Sequence, residues 1–131
     1  MLLSEIIDFL TCEVFAADEA ASDVVIEYGC ASDLMSDVLA FSRTGAVLLT
    51  GLVNVQTIQT AFVAEVRAIV FVRGKKPDQG VIALAKEKKI PLVGTPYSMY
   101  ESCGILYMKG LRSTMEYAPT MNSRGQTGKN G

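Results

Sequence analysis

Hydrophobic and polar positions alternate along this chain in a pattern that repeats three times between Val47 and Leu111. Each repeat is a short continuous apolar run, a tight polar turn and an amphipathic stretch at helical spacing. The runs are Val47–Leu49, Ala68–Val72 and Pro91–Val93; unbroken apolar runs of this length predict strands buried on both faces. The turns run from Thr50-Gly51 to Asn54, from Arg73-Gly74 to Asp78, and from Gly94-Thr95 to Ser98. Each ends on a good helix N-cap, namely Asn54, Asp78 or Ser98. The helices are predicted over about 54–66, 78–89 and 98–109. Their inward positions are Val55, Ile58, Ala61, Phe62 and Val66, then Val81, Ile82, Leu84 and Ala85, then Tyr100, Cys103, Leu106 and Tyr107.

Upstream, Ser4 caps a helix through about Leu10, Glu13–Ala16 reads as a short strand, and Asp18–Ser22 as a loop. Val24–Tyr28 is β-branched and aromatic, predicting a second strand that Gly29 breaks. A further helix starts at Ser32 or Asp33, buries Leu34, Met35, Val38, Leu39 and Phe41 on one broad face, and ends at Arg43-Thr44-Gly45. Gly45 there supplies a left-handed cap. Strands alternating with helices predict an α/β fold, a mostly parallel sheet with helices on both faces and at least three consecutive βα units. Residues 1–112 form its single domain. From Ser113 to Gly131 polar breakers dominate, which predicts a disordered tail, with Met115, Tyr117 and Met121 available to dock it.

Composition narrows the function classes. The chain has 131 residues, half of them hydrophobic, enough for one real core. No apolar run reaches the roughly 18 residues of a membrane span, and the start lacks a basic signal region. Cys12, Cys30 and Cys103 are widely spaced with no CxxC pair, as for free thiols in a reducing cytoplasm. Three cysteines fall short of the usual four for an iron–sulfur cluster. There is no histidine, which removes the commonest general base and the commonest zinc ligand. Neither a metal nor a cofactor is called for.

The net charge of −2 gives no case for nucleic acid. Its distribution is uneven: residues 1–43 hold nine carboxylates and one arginine, the remainder eleven Lys/Arg and five Asp/Glu. Either the two parts pack together or meet across a dimer, or the acidic part recruits a basic partner.

Three stretches carry a family resemblance: Leu48-Leu49-Thr50-Gly51; Ile69 through Val72-Arg73-Gly74-Lys75-Lys76-Pro77-Asp78; and Ile82 through Leu84-Ala85-Lys86-Glu87 to Val93-Gly94-Thr95-Pro96-Tyr97. With the upstream Ser32–Leu39 helix, they resemble the DRTGG domain family across about residues 1–112. The pentapeptide that names the family is absent; the nearest string is Ser42-Arg43-Thr44-Gly45-Ala46. The resemblance implies a regulatory or interaction module with a fold similar to the N-terminal domain of HPr kinase. It implies dimer contacts, and for short stand-alone members a setting beside iron-only hydrogenase and redox-complex genes of anaerobic bacteria.

In an open parallel sheet, ligands bind beyond the carboxyl ends of the strands. That edge would gather Thr50, Gly51, Asn54, Arg73, Gly74, Lys75, Lys76, Thr95, Tyr97 and Ser98 beside helix N-termini, which suits an adenine nucleotide or another phosphate-bearing ligand. The same residues have a purely structural account: glycines for tight turns, Asn54 and Ser98 as caps, lysines in solvent. A phosphate-loop motif would need Gly at 69 and Ser or Thr at 76, where Ile69 and Lys76 stand. Asp33 and Asp37, at helical i, i+4 spacing, would share a face. Met35, Met99, Tyr100 and Met108 are candidate interface residues, and a two-fold homodimer is the commonest assembly for such a domain. The reading is a cytoplasmic, non-enzymatic regulatory or assembly module that forms a homodimer, with a protein partner in a redox complex. A nucleotide sensor and a phosphoryl or acyl transfer enzyme stand as alternatives.

Overall fold

The computed structural model describes residues 1–117 of the chain. Its elements are α1 (Leu3–Phe9), β1 (Glu13–Ala16), β2 (Tyr28–Ala31), α2 (Met35–Phe41), β3 (Ala46–Thr50), α3 (Val55–Val63), β4 (Ala68–Phe71), α4 (Gln79–Glu87), β5 (Leu92–Gly94), α5 (Met99–Met108) and β6 (Arg112–Ser113), with one 3-10 turn at Ala21–Asp23. The six strands form one sheet in the order β1-β5-β4-β3-β2-β6. β1 pairs antiparallel with β5, and every other pairing is parallel. The fold is the α/β architecture expected from the repeat.

β3, β4 and β5 are buried throughout, which is why their sequences show no alternation. One face of the sheet presents Leu48, Ile69, Phe71 and Leu92 to Val38, Ile58, Ala61, Val81 and Ala85 of α2, α3 and α4. The other presents Val47, Leu49, Val70 and Val93 to Leu3, Ile6 and Leu10 near α1 and to Leu106 of α5. The chain therefore leaves β4 toward one face and β5 toward the other. The carboxyl ends of these neighbours flank the topological switch point, the usual ligand crevice of an open α/β sheet.

All three N-caps form as predicted. Asn54, Asp78 and Ser98 accept hydrogen bonds from the N–H groups of Thr57, Val81 and Glu101 at 3.0, 2.9 and 3.1 Å. α5 closes in a Schellman motif: Gly110 is left-handed at φ 100°, and Leu111 N–H reaches Leu106 C=O at 3.0 Å.

Several expectations are corrected. The second strand lies at Tyr28–Ala31 instead of Val24–Tyr28, because Val24–Ile26 is taken by the N-terminus. Leu3 N–H donates to Val24 C=O at 2.9 Å and Ile26 N–H to Met1 C=O at 2.7 Å. Gly29 sits inside β2, where a Cβ would come within 3.3 Å of Leu111 Cδ2. α2 begins only at Met35, since Ser32 Oγ accepts Leu34 N–H at 3.0 Å in a local turn and Asp33 is held elsewhere. Asp33 and Asp37 therefore do not share a helix face. Gly45 is left-handed, but in the turn before β3, three residues beyond the Ser42 cap. Leu34, Leu39, Phe41, Val55, Phe62, Tyr100 and Tyr107 are exposed rather than inward. The two-residue β6, unexpected from the sequence, carries the sheet past residue 112, and Thr114 N–H adds a bond to Gly29 C=O at 3.1 Å. The tail beyond Tyr117, including Met121, lies outside the described residues.

The uneven charge is spent partly within the chain. Glu27 pairs with Arg67 at 3.8 Å and Glu13 with Lys76 at 3.3 Å, each joining the acidic N-terminal part to the basic remainder. No helix among the described residues is long and apolar enough to cross a membrane.

Candidate functional site

Because β3, β4 and β5 run the same way, their following loops meet at one rim. The loop after β3 is fixed from below by a residue that precedes α2. The buried Thr50 hydroxyl donates to Asp33 Oδ1 at 2.9 Å, and Gly51 N–H donates to the same oxygen at 2.7 Å. Thr50 Oγ1 in turn accepts Leu52 N–H at 3.1 Å. The Gly51 carbonyl accepts from Lys75 Nζ at 2.9 Å, and a Cβ at 51 would lie 2.9 Å from an Arg73 Nη2. Gly51 is thus held between a carboxylate and two cations, and only a residue without a side chain leaves the guanidinium where it is. The Asp33 carboxyl is held below its ordinary range, first by Gly51 N–H and then by the Thr50 hydroxyl and the positive Arg73 and Lys75, against some desolvation.

The loop after β4 turns through two successive left-handed residues, Arg73 (φ 62°) and Gly74 (φ 68°). For an arginine that conformation is unfavourable, and two hydrogen bonds hold it. Arg73 N–H donates to Tyr97 C=O and Gly74 N–H to Thr95 C=O, both at 2.8 Å. The strain leaves the exposed Arg73 side chain over Gly51.

The loop after β5 looks the other way. The buried Thr95 hydroxyl donates to Leu10 C=O at the end of α1 at 2.6 Å and accepts Tyr97 N–H at 3.2 Å. Tyr97 Oη lies 3.4 Å from Thr11 Oγ1.

The rim therefore brings Thr50, Gly51, Arg73 and Lys75 together, with Gly74 as the turn beneath Arg73. Asn54 and Ser98 cap α3 and α5, Thr95 and Tyr97 tie the β5 loop to the end of α1, and Lys76 leans on β1 through Glu13. Asp33 is the site residue that sequence reasoning missed. The available signal was the Thr-Gly pair itself, whose hydroxyl and N–H both need one acceptor.

Of the candidate interface residues, Met35 fills the core under α2, Met99 is half-buried, and Tyr100 and Met108 stand in solvent. Burial pushes the Cys12 thiol up to about 12 and raises Cys30 and Cys103 as well, so all three are held protonated. Cys30 and Cys103 border one cavity of about 280 Å³ beside β6. Cys30 packs with the core cluster under α2–α4 and Cys103 with the cluster under α1 and α5. No cluster of three or more His, Cys, Asp or Glu that could hold a metal occurs among the described residues.

The family model of the DRTGG domain matches residues 5–107. The chain belongs to the DRTGG domain family. Its Ser42–Ala46 string leads into the first residue of β3, at the end of the sheet opposite the Arg73 rim. Among solved structures the chain is similar to the CBS and DRTGG domains of the regulatory region of Clostridium perfringens pyrophosphatase, complexed with the activator diadenosine tetraphosphate. The TM-score is 0.66 at 17% identity, covering 80% of this chain and 45% of that one, so this DRTGG chain spans less than half of that structure. At that identity the likeness is one of fold. No curated protein matches the chain.

Proposed function

We propose that this DRTGG chain is a non-catalytic regulatory or assembly module that works as a homodimer. The observation that carries the reading is the amount of large apolar side chain left in solvent. Leu34, Leu39, Phe41 and Val63 lie along or beside α2 and α3, and Tyr100, Tyr107 and Met108 along α5. Exposed apolar side chains gathered along one helix, as on α5, mark a contact surface. Family membership supports it, as do thiols that burial keeps protonated and so poorly nucleophilic. Sedimentation of the full chain tests it: a dimer mass at about 10 μM is the expected result, and a monomer at about 100 μM overturns it.

A second reading is a sensor for an adenine nucleotide or another phosphate-bearing ligand at the strand-end rim. It is favoured by the exposed Arg73 and Lys75, which stand over Gly51 beside the Asp33 carboxylate. Diadenosine tetraphosphate in the Clostridium perfringens regulatory region is a ligand of that class, held by a region with CBS as well as DRTGG domains. Thermal shift against a nucleotide panel tests it, since a ligand of the folded state raises its apparent stability. A shift that survives Arg73→Ala and Lys75→Ala places the ligand elsewhere. The cytoplasmic, hydrogenase-associated setting is proposed from the family resemblance alone, and pull-down from an anaerobic host tests that partner.

A further inference from the structure

We infer that the outward face of α5 is where the second copy docks, in an antiparallel helix crossing centred on Gly104; this rests on the homodimer reading above. The core side of α5 is Ser102 and Leu106, flanked by the half-buried Met99, Cys103 and Ile105. On the opposite side, at helical spacing, lie Tyr100, Gly104, Tyr107 and Met108, with Glu101 the one charge among them. Tyr100 is 91% exposed, Tyr107 61% and Met108 88%. A helix that is apolar all round is normally covered all round.

Gly104 sharpens the case. Glycine inside a helix is destabilising relative to alanine. Here a Cβ would meet nothing within 4 Å, so no contact within the described residues explains its absence. A backbone approaching from outside does. Tyr100 and Met108 are each four residues from Gly104. A two-fold axis through Gly104 therefore sets Tyr100 of one copy against the partner's Met108, twice, in a sulfur–aromatic contact. The face carries both its hole and its knobs, as an isologous contact requires.

Area agrees. At about 200 Å² for a fully exposed large side chain, the three residues offer on the order of 500 Å² per chain. Two copies then bury roughly 1,000 Å², where specific interfaces begin.

The test uses the full chain. Gly104→Leu should convert a dimer to a monomer in sedimentation. Gly104→Ala should weaken dimerisation at least tenfold while raising the melting temperature of the dilute monomer, because helix propensity and interface packing now oppose each other. Gly104→Cys, oxidised with diamide, should give a covalent dimer that the wild-type chain with its three native thiols does not. A Gly104→Leu chain that stays dimeric, together with no cross-link at 104, overturns this face and leaves the homodimer reading standing. A monomeric wild type overturns both. A chain that dimerises through α5 only when residues 118–131 are removed assigns the face to its own C-terminal segment and likewise overturns the inference.

Discussion

Asp33 accepts the N–H of Gly51 at 2.7 Å from across the β2–β3 edge, so a residue outside the three repeats sets the first loop of the rim. The bond is charge-assisted and shares its acceptor oxygen with the Thr50 hydroxyl. Asp33→Ala should cost about 1–2 kcal/mol at neutral pH, the worth of lost hydrogen bonds to a charged group on a mostly exposed side chain. The sign with pH follows from the lowered carboxyl. Its contribution is complete above the unfolded carboxylate range and lost as pH falls through the lower folded value. Urea unfolding should therefore show the gap between wild type and Asp33→Asn at pH 7 and its closure toward pH 3. A gap that widens in acid contradicts the bond's assignment.

Arg73 combines a left-handed backbone with an exposed guanidinium beside Gly51, which predicts that stability and binding part company there. Arg73→Gly should leave folding intact or stabilise it by up to about 1 kcal/mol, since glycine adopts φ near +60° without penalty. The same change should abolish any thermal shift given by a nucleotide. Retained nucleotide response in a folded Arg73→Gly chain would remove this side chain from the rim's chemistry. Equal loss of stability and response would show that the arginine is a structural residue.

The fold was legible where local and global signals agreed. Continuous apolar runs at β3, β4 and β5 and the caps Asn54, Asp78 and Ser98 fixed three βα units without reference to the rest of the chain. It was illegible where long-range hydrogen bonds decided the outcome. Val24–Ile26 has strand propensity, yet the N-terminus claims its backbone groups. Asp33 has N-cap chemistry, yet it serves Gly51, eighteen residues on. Helical spacing made Tyr100 and Tyr107 inward because it reports apolarity and not direction. α5 is apolar on both sides, so only the packed structure tells which side faces the sheet. For the site, the rim and its cations were legible, while the engagement of Thr95 with Leu10 and of Lys76 with Glu13 was not.

Gly94 is tied to its neighbour by space alone. A Cβ there would lie 2.6 Å from Phe15 Cε2 and 3.2 Å from Cζ, on the strand paired with it. Since the ring is rigid and half-buried, Gly94→Ala should cost about 1–3 kcal/mol by overpacking. Phe15→Leu should itself cost less than about 2 kcal/mol and recover most of the loss in the double variant. Additive effects measured by urea unfolding would mean that the two sites do not touch.

Thr95 carries the join between the sheet and α1. Its hydroxyl is buried and bonded at 2.6 Å to the Leu10 carbonyl at the end of α1, two residues before Cys12. Thr95→Val keeps the shape but leaves that carbonyl without its partner, so a loss of about 1–3 kcal/mol is expected. Local opening should rise with it, and Cys12 is the reporter. Its thiol, pushed up to about 12 by burial, resists alkylation while α1 stays docked. Faster iodoacetamide labelling of Cys12 in Thr95→Val than in wild type, read by mass spectrometry at pH 8, is the expected result. Unchanged Cys12 labelling alongside a full stability loss would show that α1 is held by Leu3, Ile6 and Leu10 packing and not by this bond.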